Sequence, residues 1–282
     1  MKPAPVLDRR LLLVCGKGGV GKTTVAAVFA LLAARRGRRV LLDAVGREPA
    51  PLAGVTVAGI GGDAALDEYL ARALPGPIHR RIVRSRLYRR FAAGAPGLAD
   101  LMMLGKIADD ARTGAWDLVV ADIGATGHGL EMIGMPAAAA SAFGPGRVLR
   151  EVDRIRRELG DPGHTALIPV TTPEELAVDE ARELGARAAE LGIALGPVVI
   201  NRVHGAPRSL AEVPAAPPRA SLLVAEAVRR GRSQALRAEL DRREIDRLGG
   251  LEAGAVRLPM ILAETIGRAE LDLLVEAAER CL

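Results

Sequence analysis

Gly16-Lys17-Gly18-Gly19-Val20-Gly21-Lys22-Thr23 decides how the rest of this 282-residue chain is read. The eight residues satisfy the spacing G-x-x-x-x-G-K-[S/T], which carries weight where a strand leads in and a helix leads out. Both flanks qualify. Leu11–Cys15 is a short apolar run that reads as a buried strand, and Thr23–Arg36 is rich in Ala, Leu and Val with no Pro or Gly until Gly37 ends it. Each part of the loop then has a physical task. Gly16, Gly18, Gly19 and Gly21, with Val20 between them, let successive backbone N–H groups turn inward around phosphates. The helix that follows presents its positive end to the same anion. Lys22 meets the terminal phosphates as a point charge, the Thr23 hydroxyl suits Mg2+, and Thr24 suits the α-phosphate. ATP with Mg2+ is the expected ligand pair.

Lysine is scarce here. Of the 39 lysines and arginines only four are lysine, and two of those, Lys17 and Lys22, share this loop. A compact ammonium fits a phosphate cradle where a broad guanidinium does not. The spacing does not demand lysine at position 17. A lysine directly after the first glycine points away from its own cradle, either into solvent or toward phosphates held by a second subunit, where it would act as an arginine finger does. The second reading implies a face-to-face dimer around two nucleotides.

Outward from the loop, strand and helix patterns alternate. Arg39–Asp43, Asp117–Asp122, Thr165–Val170, Leu195–Asn201 and Val256–Pro259 read as strands. Ala64–Arg112 (with interruptions), Gly144–Leu159, Pro173–Leu191, Ser221–Leu248 and Thr265–Arg280 read as helical. That alternation predicts an α/β fold with a mostly parallel sheet, helices on both faces and ligands beyond the strand C-termini. The expected organisation is one P-loop NTPase domain over residues 1–282, with helical insertions at about 64–112 and 205–250.

Composition narrows the classes. Apolar residues make up 49% and charged residues 26%, which is globular. Only Cys15 and Cys281 could form disulfides, and no C-x-x-C pair exists, so neither a disulfide framework nor a structural zinc site is expected. No apolar run approaches the ~18–20 residues of a membrane span, and the expected location is the cytoplasm. The formal charge of +5 permits nucleic acid, but the arginines are spread among acidic neighbours and six aromatics are too few for a stacking platform.

GKGGVGKTT (residues 16–24) resembles the deviant Walker A sequence of a P-loop group that includes the arsenite-pump ATPase ArsA, the eukaryotic tail-anchored-protein targeting factor, MinD, ParA and the nitrogenase iron protein. Asp122-Ile123-Gly124-Ala125-Thr126-Gly127-His128 resembles the D-x-A-P-T-G-H switch II of the ArsA branch. Val170–Ala181, Val198–Val203 and Leu258–Gly267 also resemble that branch, in order along most of the chain. The resemblance implies an ATPase in which Asp122 holds a Mg2+ water and Thr126–His128 sense the γ-phosphate. It also implies that Asn201 reads the adenine edge and that the Leu258–Ala263 loop packs on the base.

Three departures bear on the outcome. Where the branch carries the S-T-D-P-A aspartate that positions attacking water, this chain reads Leu41-Leu42-Asp43-Ala44-Val45-Gly46-Arg47, with Asp43 about three residues early. Either Asp43 takes over through a shifted loop or hydrolysis is slow or absent. The proline of A-P-T-G-H is missing. Nothing resembles the triple-cysteine arsenite site or the zinc C-x-x-C, which argues against arsenite and zinc. Met102, Met103, Met132 and Met135 either fill the core or line a soft client surface. The leading expectation is an ArsA-like, Mg-dependent ATPase acting as a homodimer or paired heterodimer on an unknown protein client. The alternatives are a nucleotide-gated assembly module with little turnover and a ParA/MinD-like positioning ATPase.

Overall fold

The computed structural model describes residues 5–46, 50–73, 97–142, 146–205, 221–251 and 254–282, together with 76, 144, 215, 217 and 219. Seven strands form one sheet: β1 (Leu11–Gly16), β2 (Val40–Val45), β3 (Thr56–Ile60), β4 (Leu118–Ala125), β5 (Thr165–Thr171), β6 (Val199–Val203) and β7 (Val256–Pro259). Their order is β3-β2-β4-β1-β5-β6-β7 and every pairing is parallel. The helices are α1 (Lys22–Arg35), α2 (Gly62–Ala73), α3 (Leu98–Arg112), α4 (Thr126–Ala142), α5 (Arg147–Gly160), α6 (Glu175–Glu190), α7 (Leu222–Asp246) and α8 (Arg268–Glu279). Among the described residues no helix is long and apolar enough to cross a membrane.

Continuous apolar runs become central strands because a parallel sheet is covered on both faces. β1 and β5 are buried along their whole length. One face carries α1 and α8. There Phe29, Leu32, Leu274 and Val275 pack with Leu12, Val14, Leu42 and Val120. α1 is buried from Val25 to Ala33, which matches its Ala/Leu/Val composition without a polar stripe. The other face carries α3, α4, α5 and part of α6, where Leu104, Ile107, Met132, Ile155 and Leu184 pack with Leu11, Leu13, Val119 and Ala121. Met103 and Met132 are buried in this core, and Met102 and Met135 pack against it, so these methionines are core filling rather than an open surface.

The alternation read from sequence holds, with two additions. β3 is an edge strand, partly exposed, in a stretch that reads as loop. β4 runs on to Ala125 and passes directly into α4, where the sequence shows only a switch segment. Gly37 ends α1 with φ +79°, the left-handed value its position requires. The segments expected as insertions contribute α2, α3 and α7. Most of the stretch between α2 and α3, and most of 206–220, lie outside the described residues.

Candidate functional site

The eight-residue loop leaves β1 at its C-terminal edge and feeds α1. Gly16 has no room for a side chain, because a Cβ there would lie 2.1 Å from the Val170 carbonyl oxygen of β5. Gly19 and Gly21 take φ of +87° and +91°, and the Cβ directions of Gly18 and Gly19 face open space. Lys22 Nζ donates to the Lys17 carbonyl at 2.8 Å, so the lysine folds back across the mouth of its own loop. Lys17 behaves differently. Its ammonium lies 3.5 Å from Glu180 of α6 and is 28% exposed. Glu180 is a site neighbour that no sequence motif singled out.

Asp122 is buried inside β4, three residues before its end. It lines a cavity of about 190 Å³ with Thr23, Thr24, Ala44, Leu52 and Ile266. Thr23, Thr24 and Asp122 thus meet on the α1 face of the sheet, at the helix N-terminus. Asp43 does not join them. Residues alternate across a strand, and β2 places Leu42 in the α1-side core and Leu41 in the opposite one. Asp43 therefore faces α3. It is fully buried, and neither carboxylate oxygen has a hydrogen-bond partner among the described residues. Burial pushes its pKa up to about 8. Asp110 contributes to that rise and Lys106 opposes it. Lys106 is engaged elsewhere, 2.7 Å from Asp110 and 3.5 Å from Glu68.

The switch segment is seated firmly. Thr126 opens α4, and its hydroxyl is buried without a hydrogen-bond partner among the described residues. His128 Nε2 lies 3.4 Å from Asp100 of α3. A Cβ on Gly129 would come within 2.6 Å of Cys15 Sγ, so this glycine lets α4 touch the last residues of β1 beside the loop. Cys15 is a buried thiol whose pKa burial pushes up to about 11. It belongs to the packing and is inert as a nucleophile.

Asn201, on β6, holds the loop from the far side. Its Nδ2 donates to the Val20 carbonyl at 2.8 Å, and its Oδ1 accepts from the Arg202 N–H at 3.0 Å. Gly21 permits this approach, since a Cβ there would sit 2.3 Å from Asn201 Nδ2. The next residue, Arg202, takes φ +59°, the only described non-glycine in the left-handed region. It falls where the β6–β7 register shifts. Such conformations persist where surrounding structure holds them, and they cluster at functional sites. Beyond β7, Met260 donates its N–H to the Val203 carbonyl at 2.9 Å, and Leu262 is 91% exposed on the same edge.

A glycine-lined loop with an inward lysine, and two threonines facing a carboxylate, fits a Mg-nucleotide. The CobQ/CobB/MinD/ParA nucleotide binding domain matches residues 11–216. The chain belongs to this family. It is a P-loop ATPase of the MinD/ParA/ArsA type. ATPase BagA of Mycobacterium tuberculosis is 32% identical over 259 residues, covering 79% of this chain and 76% of that protein. A putative ATPase of Mycobacterium bovis matches to the same extent. The arsenical pump-driving ATPase of Escherichia coli is 25% identical over 230 residues, which span 68% of this chain and 39% of that relative. Around the loop after β1, Lys22 reaches the Lys17 carbonyl, Asn201 reaches the Val20 carbonyl, and Thr23, Thr24 and Asp122 line one cavity.

Proposed function

We propose that the chain is an ArsA-like, Mg-dependent ATPase that works as a face-to-face dimer and passes its nucleotide state to a client through α4. The observation that carries this reading is the divergence of the two loop lysines. Lys22 turns into its own loop, while Lys17 turns out of it to Glu180 at the surface. An outward ammonium serves a second subunit's phosphates better than its own. When bound, Mg2+ supplies charge neutralisation between the phosphates. Thr23 and Asp122 are the residues that would hold it.

The chain's own groups do the rest by positioning. Backbone N–H groups of residues 18–23 cradle the anion at the N-terminus of α1. Lys22 exchanges the Lys17 carbonyl for phosphate oxygen. The orphan Thr126 hydroxyl offers a donor at the start of the switch helix, and Gly129 against Cys15 couples that helix mechanically to the loop. Asn201 keeps the loop in shape from β6, and the exposed apolar side chains of Met260 and Leu262 suit the face of a base. The client, and whether the partner is a second copy or a paralogue, belong to the same proposal.

A second reading has one observation in its favour. Asp43 faces α3, so that among the described residues β2 brings no water-positioning carboxylate to the nucleotide side, which fits a nucleotide-gated module with slow turnover. Steady-state phosphate release and ATP binding, measured on wild type, Lys17→Ala and Lys22→Ala, test both. The dimeric ATPase predicts turnover that Lys17→Ala abolishes while binding persists. Tight binding with no phosphate release from wild type would select the slow module.

A further inference from the structure

Thr172 carries a hydroxyl that the fold buries and leaves idle. The residue is 2% exposed, and its Oγ1 has no hydrogen-bond partner among the described residues. A threonine hydroxyl offers one donor and two lone pairs, and burying it unused costs free energy. Its neighbour Thr171, also buried, donates its own hydroxyl to the Thr172 carbonyl at 3.0 Å. That carbonyl accepts from the Glu174 N–H as well, at 2.8 Å. The carbonyl of Thr172 is thus doubly used while its hydroxyl is not.

Register places the hydroxyl. Thr172 comes directly after β5 and before Pro173, and a residue before proline keeps extended backbone. Strand alternation therefore carries on to it. Val170 packs in the core on the α1 side, so Thr172, two residues on, faces that side too. On β6, Val199 packs in the same core, which puts Asn201 on the same face. The parallel pairing sets Val170 beside Val199 and Thr171 beside Ile200, and its next step brings Thr172 beside Asn201. Along its other edge β5 sets Val170 beside Gly16, so Thr172 lies just past the point where the phosphate loop departs. Two polar side chains thus stand together beneath the loop. Asn201 holds the Val20 carbonyl at 2.8 Å. The Thr172 hydroxyl holds nothing.

We propose that Thr172 is a positioning residue for the bound nucleotide, its hydroxyl joining the Asn201 amide on the Val20 carbonyl as the loop draws in around phosphate. The proposal rests on the nucleotide reading above. The Val20 carbonyl and the Gly21 N–H belong to one planar trans peptide and point in opposite directions. A phosphate that pulls the Gly21 N–H into the cradle presses the Val20 carbonyl the other way, onto the donors that stand on the sheet. A carbonyl oxygen has two lone pairs, and Asn201 occupies one of them. Gly19 and Gly21, on either side of Val20, give the loop the backbone freedom to make this small move. The empty protein then keeps a donor unused that the loaded protein uses. Such a difference between two states stabilises the liganded one and is read as affinity.

The test is calorimetric titration with Mg2+ and a non-hydrolysable ATP analogue, with a thermal melt of each nucleotide-free protein. The proteins are wild type, Thr172→Val, Thr172→Ser, Asn201→Ala and the Thr172→Val/Asn201→Ala double variant. Valine keeps the shape of threonine and removes the idle hydroxyl. The nucleotide-free Thr172→Val protein should therefore melt at or above wild type, while its dissociation constant for the analogue rises about five- to tenfold. Serine keeps the hydroxyl and should bind within about twofold of wild type. A merely structural role would move the melt and the affinity in the same direction. Because both donors share one carbonyl, their losses should be non-additive in the double variant. Thr172→Val that binds the analogue as wild type does overturns the proposal. A clearly lower melt without nucleotide also overturns it, since the hydroxyl would then be bonded already. Additive losses overturn Val20 as the acceptor. A wild type that fails to bind the analogue overturns the nucleotide reading itself.

Discussion

Two buried aspartates on neighbouring strands have opposite surroundings. Asp122 lies in β4 and Asp43 in β2, and the parallel register sets Ala44 opposite Asp122 and Asp43 opposite Ala121. One step of register therefore separates them, and one step reverses the face. Asp122 looks toward Thr23, Thr24 and the start of α1. Asp43 looks toward Lys106 and Asp110 of α3, with no partner for either oxygen among the described residues. The α1 side gathers two hydroxyls and a carboxylate around a cavity. The α3 side is a packed core with one buried acid and an ion-paired lysine next to it. A carboxylate near a phosphate loop in sequence is thus no guide to which of these environments it occupies.

The sharpest way to break the comparison is to remove each carboxylate in turn. Asp122→Asn should lower Mg·ATP turnover by about 10²–10³-fold, the range for losing one preorganised electrostatic group. Asp43→Asn should leave turnover within about threefold, or ~0.6 kcal/mol. Phosphate-release assays with binding measured in parallel decide it. If Asp43→Asn matched Asp122→Asn, Asp43 would have to reach the nucleotide by a rearrangement of β2.

Stability against pH should separate the pair next. The folded pKa of Asp43, about 8, stands above its unfolded value of 3.8. The folded state then holds the proton longer, and stability present in acid falls as pH rises from the unfolded value through the folded one. Relative to Asp43→Asn, wild type should lose about 1 kcal/mol per pH unit, or roughly 3 kcal/mol between pH 5 and pH 8. Urea melts of both proteins at the two pH values would show it, and parallel curves would mean that Lys106 has turned to Asp43 and neutralised it.

Smaller effects concern how each side is seated on the loop. Gly129→Ala forces a Cβ onto Cys15 Sγ and should cost about 2 kcal/mol, as overpacking does. Cys15→Ala in the same chain should recover most of that, a coupling that a double-mutant cycle measures. Additive losses would mean that α4 is not seated on β1. Asn201→Ala removes the hydrogen bond to Val20 and should weaken ATP binding by about 1 kcal/mol, near fivefold, by loosening the loop. A loss above fiftyfold by titration would place the amide on the nucleotide itself.

The elements that could be read along the chain were those with strong local character. β1 and β5 are largely apolar runs, β4 is an apolar run broken by Asp122, and α1 is a good helix former bounded by Gly37. α4 could not be read in this way. It contains Gly127, Gly129, Gly134 and Pro136, all poor helix residues, yet Met132 and Ile133 anchor it in the core. β3 escaped for another reason, as a partly exposed edge strand of only five residues between glycines. At the site, the loop residues were legible from their spacing, and Asp122 was expected from the resemblance of residues 122–128 to a switch II sequence. Glu180, Arg202 and the hold of Asn201 on Val20 were not, since each depends on strands and helices brought together from far along the chain.

What the chain determines by itself is local: a phosphate loop between a buried strand and a helix, two lysines within it in an otherwise arginine-rich composition, and an alternation that builds a parallel sheet. Only the tertiary structure decided which side of that sheet each acid occupies, and that Glu180 is what the outward Lys17 meets. The physical reason is that side chains alternate along a strand, while the neighbouring strand and the covering helix are supplied by residues tens of positions away. Facing is set by those non-local pairings, and a motif carries no information about them.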